Sequence, residues 1–414
     1  KNGLIQRLLV ISPTSIKGVW AKEFDRYAGF PHTLHVHESG KPMPRGLKSS
    51  PFPVLVVGIE AMSVNSGPEI CKEFLSGGVS MTILDESSRI KHHNTKRTEN
   101  ILELYRESQY RLALTGTSIT QGLQDLYTQM QFVEPRAIGE ISYYSFRRKY
   151  CVMGGYEDKK IIGYTKTNVL MDKVRPYCDV IRKSDMKDLP LKSYQIREVQ
   201  ASREQREICK SLRNHLRLVM GDKDNKMKNV LEAMLRAQQV AGGFDDEGNP
   251  LSSNPKMKEL LGLLEDFDGK AVIWSRFLPE IEAIRAALNA EYPDSVMVMT
   301  GSTPQEARQS MVDIFQKSNV LRFFVSNHTV GGAGITLTSA TLAVYYSNTF
   351  NLEDRLQSED RIHRIGQTNP CMYVDISSDL AVDKSLIESI ARKSSLANFV
   401  SYSLSQGGSI DSLV

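Results

Sequence analysis

Met81-Thr-Ile-Leu84-Asp85-Glu86 is a short β-rich run that ends in two adjacent carboxylates. Read as a buried strand, it presents both carboxylates where a parallel strand meets the crevice that holds ligands. There, one carboxylate can hold a Mg²⁺-bound water while the next polarises an attacking water. An isolated apolar run followed by Asp-Glu is more often loop surface, so its neighbours decide the matter. Leu8–Ile11, Val54–Val57 and Arg111–Leu114 are similar runs, separated by helical patterns such as Gly18–Tyr27 and Arg97–Glu107. A second series follows at Ala271–Trp274, Ser295–Met299, Leu321–Val325, Leu342–Tyr346 and Met372–Asp375. Strand–helix alternation of this kind implies parallel sheets covered by helices, and two series imply two α/β lobes.

Between the two series, Tyr143 to Gln239 is rich in Lys, Arg, Tyr and Met, and its pattern is predominantly helical. Leu189-Pro190-Leu191 breaks that stretch and marks the lobe boundary. The expected organisation is a first lobe over 1–140, a helical connector or protrusion over 141–195, and a second lobe over 196–414. Gly242 to Pro250 carries carboxylates but lacks the alternating ligand spacing of a calcium loop, so it is an exposed turn. The 414 residues are 41% hydrophobic and 24% charged, the balance of a soluble globular chain. A net charge of +4 permits a polyanionic partner without arguing for one. The five cysteines lie far apart with no C-x-x-C pair, which points to reduced thiols and away from structural zinc. No apolar run is long enough to span a bilayer, and the expected location is the cell interior.

Other segments carry chemistry of their own. Gln357-Ser-Glu-Asp-Arg361-Ile-His-Arg364-Ile-Gly366-Gln367 sets two arginines three residues apart, where a helix would place both on one face. Guanidinium groups suit a dry site in which phosphate charge develops. Gly331-Gly332-Ala-Gly334, just after a strand, can approach phosphate closely through its backbone. Pro13-Thr14-Ser15, Thr115-Gly116-Thr117 and Thr300-Gly301-Ser302 also follow strands and offer N–H and hydroxyl donors. Each of these has a bland alternative, a solvated helix face or an ordinary turn.

Their order removes the ambiguity. Ile11-Ser-Pro-Thr14, Asp85-Glu86, Leu114-Thr-Gly-Thr117, Val272-Ile-Trp-Ser275, Thr300-Gly-Ser-Thr303, Gly331-Gly-Ala-Gly334 and Gln357 to Gln367 resemble, in sequence order, the motifs of superfamily 2 helicases. Asp360-Arg-Ile-His-Arg-Ile-Gly-Gln367 resembles one branch, the Swi/Snf-type ATPases that move along duplex DNA. The short connector is similar to the fork-remodelling and annealing-helicase members of that branch. The resemblance implies two RecA-like lobes and an ATP-driven, DNA-stimulated translocase that works as a monomer on duplex DNA. It implies that Asp85 holds Mg²⁺ through water, that Glu86 activates the attacking water, and that Arg361 and Arg364 are arginine fingers for ATP. It implies that Gln357, Gly332 and Gly334 belong to the nucleotide cleft, and that Thr14, Lys17, Thr117, Ser275, Ser302 and Thr338 belong to the DNA-tracking surface.

Several positions depart from the family pattern. No G-x-x-x-x-G-K-[ST] loop occurs in the 414 residues, which implies that the chain begins just downstream of one. A separate polypeptide could supply it, or hydrolysis could be lost, leaving a non-catalytic DNA-binding scaffold. Intact Asp85, Glu86, Arg361 and Arg364 favour the first explanation. Ser87-Ser88 replaces the usual small residue and histidine after Asp-Glu, which leaves the link between nucleotide and second lobe to a hydroxyl. Phe350-Asn351-Leu352 stands for Trp-Asn-Pro, and Thr120-Gln121 lacks the expected asparagine.

Overall fold

The computed structural model describes residues 4–64, 66–116, 119, 122–154, 160–181, 189–219, 226–245, 247–331 and 334–406. The chain divides into two units, Lys1–Arg182 with Lys393–Val414, and Lys183–Arg392.

The first unit is built on β1 (Arg7–Ser12), β2 (Thr33–Val36), β3 (Pro53–Gly58), β4 (Ser80–Leu84) and β5 (Tyr110–Ala113). They form one parallel sheet in the order β2-β3-β1-β4-β5. Strand periodicity of two splits β1 between two layers. Leu9 and Ile11 pack with Leu55, Val57 and Leu84 under the helices Ser66–Leu75 and Lys96–Glu103. Leu8 and Val10 pack with Val54 and Val56 on the other side, where helix Lys17–Tyr27 supplies Trp20 and Phe24. Cover on that second side is incomplete. Met81 and Ile83 are only partly buried there, and their β5 partners Tyr110 and Leu112 are 46% and 40% exposed. Because β3 and β4 flank β1, the winding direction reverses at β1, and the carboxyl ends around it form a switch-point crevice.

A small separate core follows, in which Leu123, Phe146, Tyr150, Leu170 and Val174 pack together. Helices Tyr143–Tyr150 and Thr167–Val174 enclose an antiparallel hairpin of β6 (Cys151–Gly154) and β7 (Lys160–Tyr164). Ser142 and Ser145 start the first of these helices with a reciprocal capping box.

The second unit contains β8 (Lys192–Val199), β9 (Lys270–Trp274), β10 (Val296–Met299), β11 (Phe323–Ser326), β12 (Ala340–Tyr345) and β13 (Cys371–Ser378). Their parallel order is β10-β11-β9-β12-β13-β8. Here both faces are sealed. Val272 and Trp274 enter one layer, Ala271 and Ile273 the other, and all four are fully buried.

Every strand expected from the sequence is present, and the fold class is α/β with parallel sheets flanked by helices. The segment from Tyr143 to Gln239 needs correction, because it holds the hairpin β6–β7 and the strand β8 besides its helices. β8 escapes sequence reading because it is an edge strand exposed along most of its length. No apolar alternation is required of it. Eight paired positions with β13 define it instead.

Candidate functional site

In the first unit, the ladder itself carries Asp85 into the crevice. The Asp85 N–H donates to Ile11 O at 2.8 Å, one residue beyond the last position of β4. The Asp85 carboxylate is held at both oxygens. Oδ1 accepts from the Glu86 N–H at 2.9 Å, and Oδ2 accepts from the Trp20 indole Nε1–H at 3.0 Å. Partial burial raises the Asp85 pKa above the usual carboxylate range, opposed by these two donors. Glu86 takes a left-handed backbone conformation at φ +50°, which turns the chain sharply at the strand end. Ser87 and Ser88 are both buried, and the Ser87 hydroxyl donates to Gln129 Oε1 at 2.8 Å. The Ser87 hydroxyl therefore points into its own unit.

Thr14 and Lys17 share this end of the sheet. The Thr14 N–H and hydroxyl both donate to Glu60 Oε2, at 3.0 and 2.5 Å, while Lys17 Nζ donates to His37 O at 2.6 Å. The Glu60 carboxylate, held below its usual pKa chiefly by Thr14 against the cost of burial, is also 3.4 Å from Arg89 Nη1. A DNA phosphate approaching Thr14 would thus meet a carboxylate that already uses its donors. Thr117 lies outside the described residues.

In the second unit the arginine motif is shaped differently from the expectation. Helix Leu352–Glu359 stops before Arg361, and residues 360–366 are turns ending at Gly366 with φ +100°. The two arginines therefore do not share a helix face. They converge all the same, because this turn runs beside the segment 334–338, with the Leu337 N–H donating to Arg361 O at 2.8 Å. Arg361 Nη1 lies 3.4 Å from Ile335 O, and Arg364 Nη1 lies 3.5 Å from Gly334 O and 3.1 Å from Thr336 Oγ1. Arg361 is buried, whereas Arg364 and Gly334 are exposed. Gly334 has φ +75°, a conformation that suits only glycine without strain. Buried Gln367 staples the turn, its Nε2 lying 3.0 Å from the carbonyls of Thr338, Ala340 and Ile362. Gln357 is half-buried near the end of the helix, and Gly332 lies outside the described residues.

The helix before Arg361 and Arg364 is anchored by groups that sequence reading missed. Buried Arg355 binds Asp375 Oδ2 at 3.0 Å, Glu359 Oε1 at 3.0 Å and Asn348 Oδ1 at 2.8 Å, with its guanidinium 3.4 Å from the Tyr345 ring centroid. The Arg355–Glu359 spacing of four residues was the available signal. Asp375, on β13, could not be assigned to them without the fold. For Trp20 the signal was an aromatic residue on the covering face of a helix that starts just after the turn at Thr14.

Three expected DNA contacts are dispersed. Ser275 follows β9 and Ser302 follows β10, but Thr338 precedes β12, at the other end of strands about 17 Å long. Ser302 is exposed and bonds Thr300 Oγ1 at 2.8 Å, and half-buried Thr338 accepts from Gln316 Nε2 at 3.2 Å. Ser275 corrects its expectation outright. It is fully buried, and its hydroxyl donates to Glu280, so its side chain offers nothing to DNA.

Among the described residues, no group of three or more His, Cys, Asp or Glu could enclose a metal ion. The donor set fits Mg²⁺ held through water beside one carboxylate, with phosphate oxygens completing the shell.

Residues 1–242 match the SNF2-related domain, and residues 255–366 match the helicase conserved C-terminal domain. The chain belongs to the SNF2 family. A probable chromatin-remodeling complex ATPase chain of Oryza sativa subsp. japonica is 25% identical over 95% of this chain and 36% of its own length. DNA repair and recombination protein RDH54 of Saccharomyces cerevisiae is 23% identical over 96% of this chain and 46% of its own length. This SNF2 chain therefore spans less than half of those curated relatives, and identities in that range do not separate the branches of the family. A solved SWI2/SNF2 ATPase core of Sulfolobus solfataricus in complex with dsDNA is 22% identical, with a TM-score of 0.45 over 97% of this chain and 84% of that one. Among the described residues, no helix of this SNF2 chain is long and apolar enough to cross a membrane.

Proposed function

We propose that this chain is the motor part of a DNA-stimulated ATPase that tracks duplex DNA. The observation that carries the reading is the convergence of Arg361 and Arg364 on the Gly334–Thr336 segment. It sets two guanidinium groups beside the exposed Gly334 in the second unit, and within the first unit Asp85 and Glu86 stand at the carboxyl end of β4. When bound, Mg²⁺–ATP supplies the phosphoanhydride and the charge that neutralises its oxygens. Asp85 would hold Mg²⁺ through water, Glu86 would take the proton of a water as its oxygen bonds the γ-phosphorus and the bond to ADP breaks, and Arg361 and Arg364 would balance the charge that develops on the phosphoryl oxygens. Gln357 and Gly334 shape the cleft. Thr14, Lys17 and Ser302 offer donors to phosphates rather than base edges, so binding is tolerant of sequence and weakens with salt. Glu60 must release Thr14 for that contact to form. The motor acts as a monomer inside the cell.

The test is phosphate release by the chain in its complete natural reading frame, with duplex DNA, single strands or RNA as activator. Duplex stimulates most. Glu86→Gln lowers the rate by roughly a hundredfold or more while duplex affinity stays within twofold. An unchanged rate in Glu86→Gln overturns its role. Duplex binding without phosphate release by the unaltered protein favours the scaffold reading instead.

A further inference from the structure

Trp20 is one of two tryptophans in the chain, and it stands where apolar cover and a reactive carboxylate meet. Its ring belongs to the thin layer over β1, β3 and β4, 6.5 Å from the Phe24 ring centroid. Its Nε1–H reaches Asp85 Oδ2 at 3.0 Å. An indole N–H is a donor only, so it recognises an acceptor oxygen and never competes with the carboxylate for a cation. With Glu86 N–H on Oδ1, the two donors fix the plane of the carboxylate and leave one lone pair on each oxygen directed elsewhere. The other tryptophan, Trp274, is fully buried within the second unit and makes no such contact.

We propose that Trp20 is a positioning residue for the metal-side carboxylate: its indole N–H orients Asp85 to hold a Mg²⁺-bound water. This rests on the role given to Asp85 above. A partner that holds a group facing a metal sets how tightly the ion is kept, and losing one typically costs roughly tenfold or more in metal affinity. Phenylalanine at position 20 keeps most of the apolar cover and removes only the donor. Trp20→Phe therefore raises the Mg²⁺ concentration needed for half-maximal ATP binding by roughly tenfold, with duplex affinity unchanged. Phe24→Leu, on the same helix and in the same layer, changes stability but leaves the Mg²⁺ requirement alone.

A spectroscopic measurement separates this inference from the reading beneath it. With ¹⁵N-labelled indoles, Mn²⁺ and ATP broaden the Trp20 N–H resonance and spare that of Trp274. In Asp85→Asn, without metal, the Trp20 resonance shifts while the Trp274 resonance stays. If Mn²⁺–ATP broadens neither indole, Asp85 is not the metal-side group, and the proposal falls with it. If Trp20 broadens but Trp20→Phe leaves the Mg²⁺ requirement unchanged, the positioning role alone is overturned. Should Trp20→Phe fail to fold, the Asp85→Asn shift decides: an unmoved Trp20 resonance overturns the hydrogen bond.

Discussion

In the second unit the central strand β9 is sealed on both sides, by Val272 and Trp274 into one layer and Ala271 and Ile273 into the other. In the first unit β4 has one sealed side and one where Met81 and Ile83 stay half-buried under a single helix. The chemistry divides along the same line. The arginines sit on turns stapled by Gln367 and backed by the Arg355–Asp375 pair, while the carboxylates sit at the end of a lightly covered strand. Arg361 is buried in that dense packing, and exposed Arg364 leans on the same segment. The Asp85 carboxylate is held by two hydrogen bonds instead.

The contrast can be broken most directly by cavity formation. Ile273→Ala in β9 should cost about 3 kcal/mol in urea unfolding, because a fully buried side chain leaves a void that dense neighbours cannot fill. Leu112→Ala in β5, where the side chain is 40% exposed, should cost less than about 1 kcal/mol. Equal losses would mean that β5 is as well covered as β9.

A second test uses pH. His328 is buried between the Trp274 and Tyr345 rings, and burial first, then Arg355 and Arg276, lowers its pKa to about 3. The unfolded chain takes up this proton near pH 6.5. The stabilisation from keeping His328 neutral is therefore complete above that value and is lost as pH falls toward 3. Between pH 6 and 4, the wild type should lose up to about 1.4 kcal/mol per pH unit more than His328→Gln. Parallel curves would show that the imidazole is not sealed from water.

The smallest effect belongs to the first unit. Glycine at position 86 accepts φ +50° freely, whereas alanine keeps the strain of the present residue. Glu86→Gly should thus be more stable than Glu86→Ala by about 1 kcal/mol, measured by the same unfolding. No difference would mean that the turn relaxes once the carboxylate is gone.

Much of this was legible in the sequence, because strands buried on both faces must be apolar and because strand ends carry the polar residues of a crevice. The Met81–Leu84 run and the carboxylates after it needed no fold to be read. What stayed hidden depended on contacts distant in the chain. Trp20 meets Asp85 across 65 residues, Arg355 meets Asp375 on a strand beyond Arg364, and Glu60 meets Thr14 from another strand end. Ser275 was misjudged because position after a strand does not tell inward from outward, and here Glu280 draws the hydroxyl inward. The arginines were expected on a helix from their spacing, yet a turn at Gly366 and the staple of Gln367 deliver them to one segment by another route.

The left-handed backbone at Glu86 has a meaning for the history of the chain. Under selection for folding alone, a mutation from glutamate to glycine at this corner would be welcome at every generation. At this corner the backbone strain and the carboxylate expected to touch water fall on the same residue, so relieving the one by glycine removes the other.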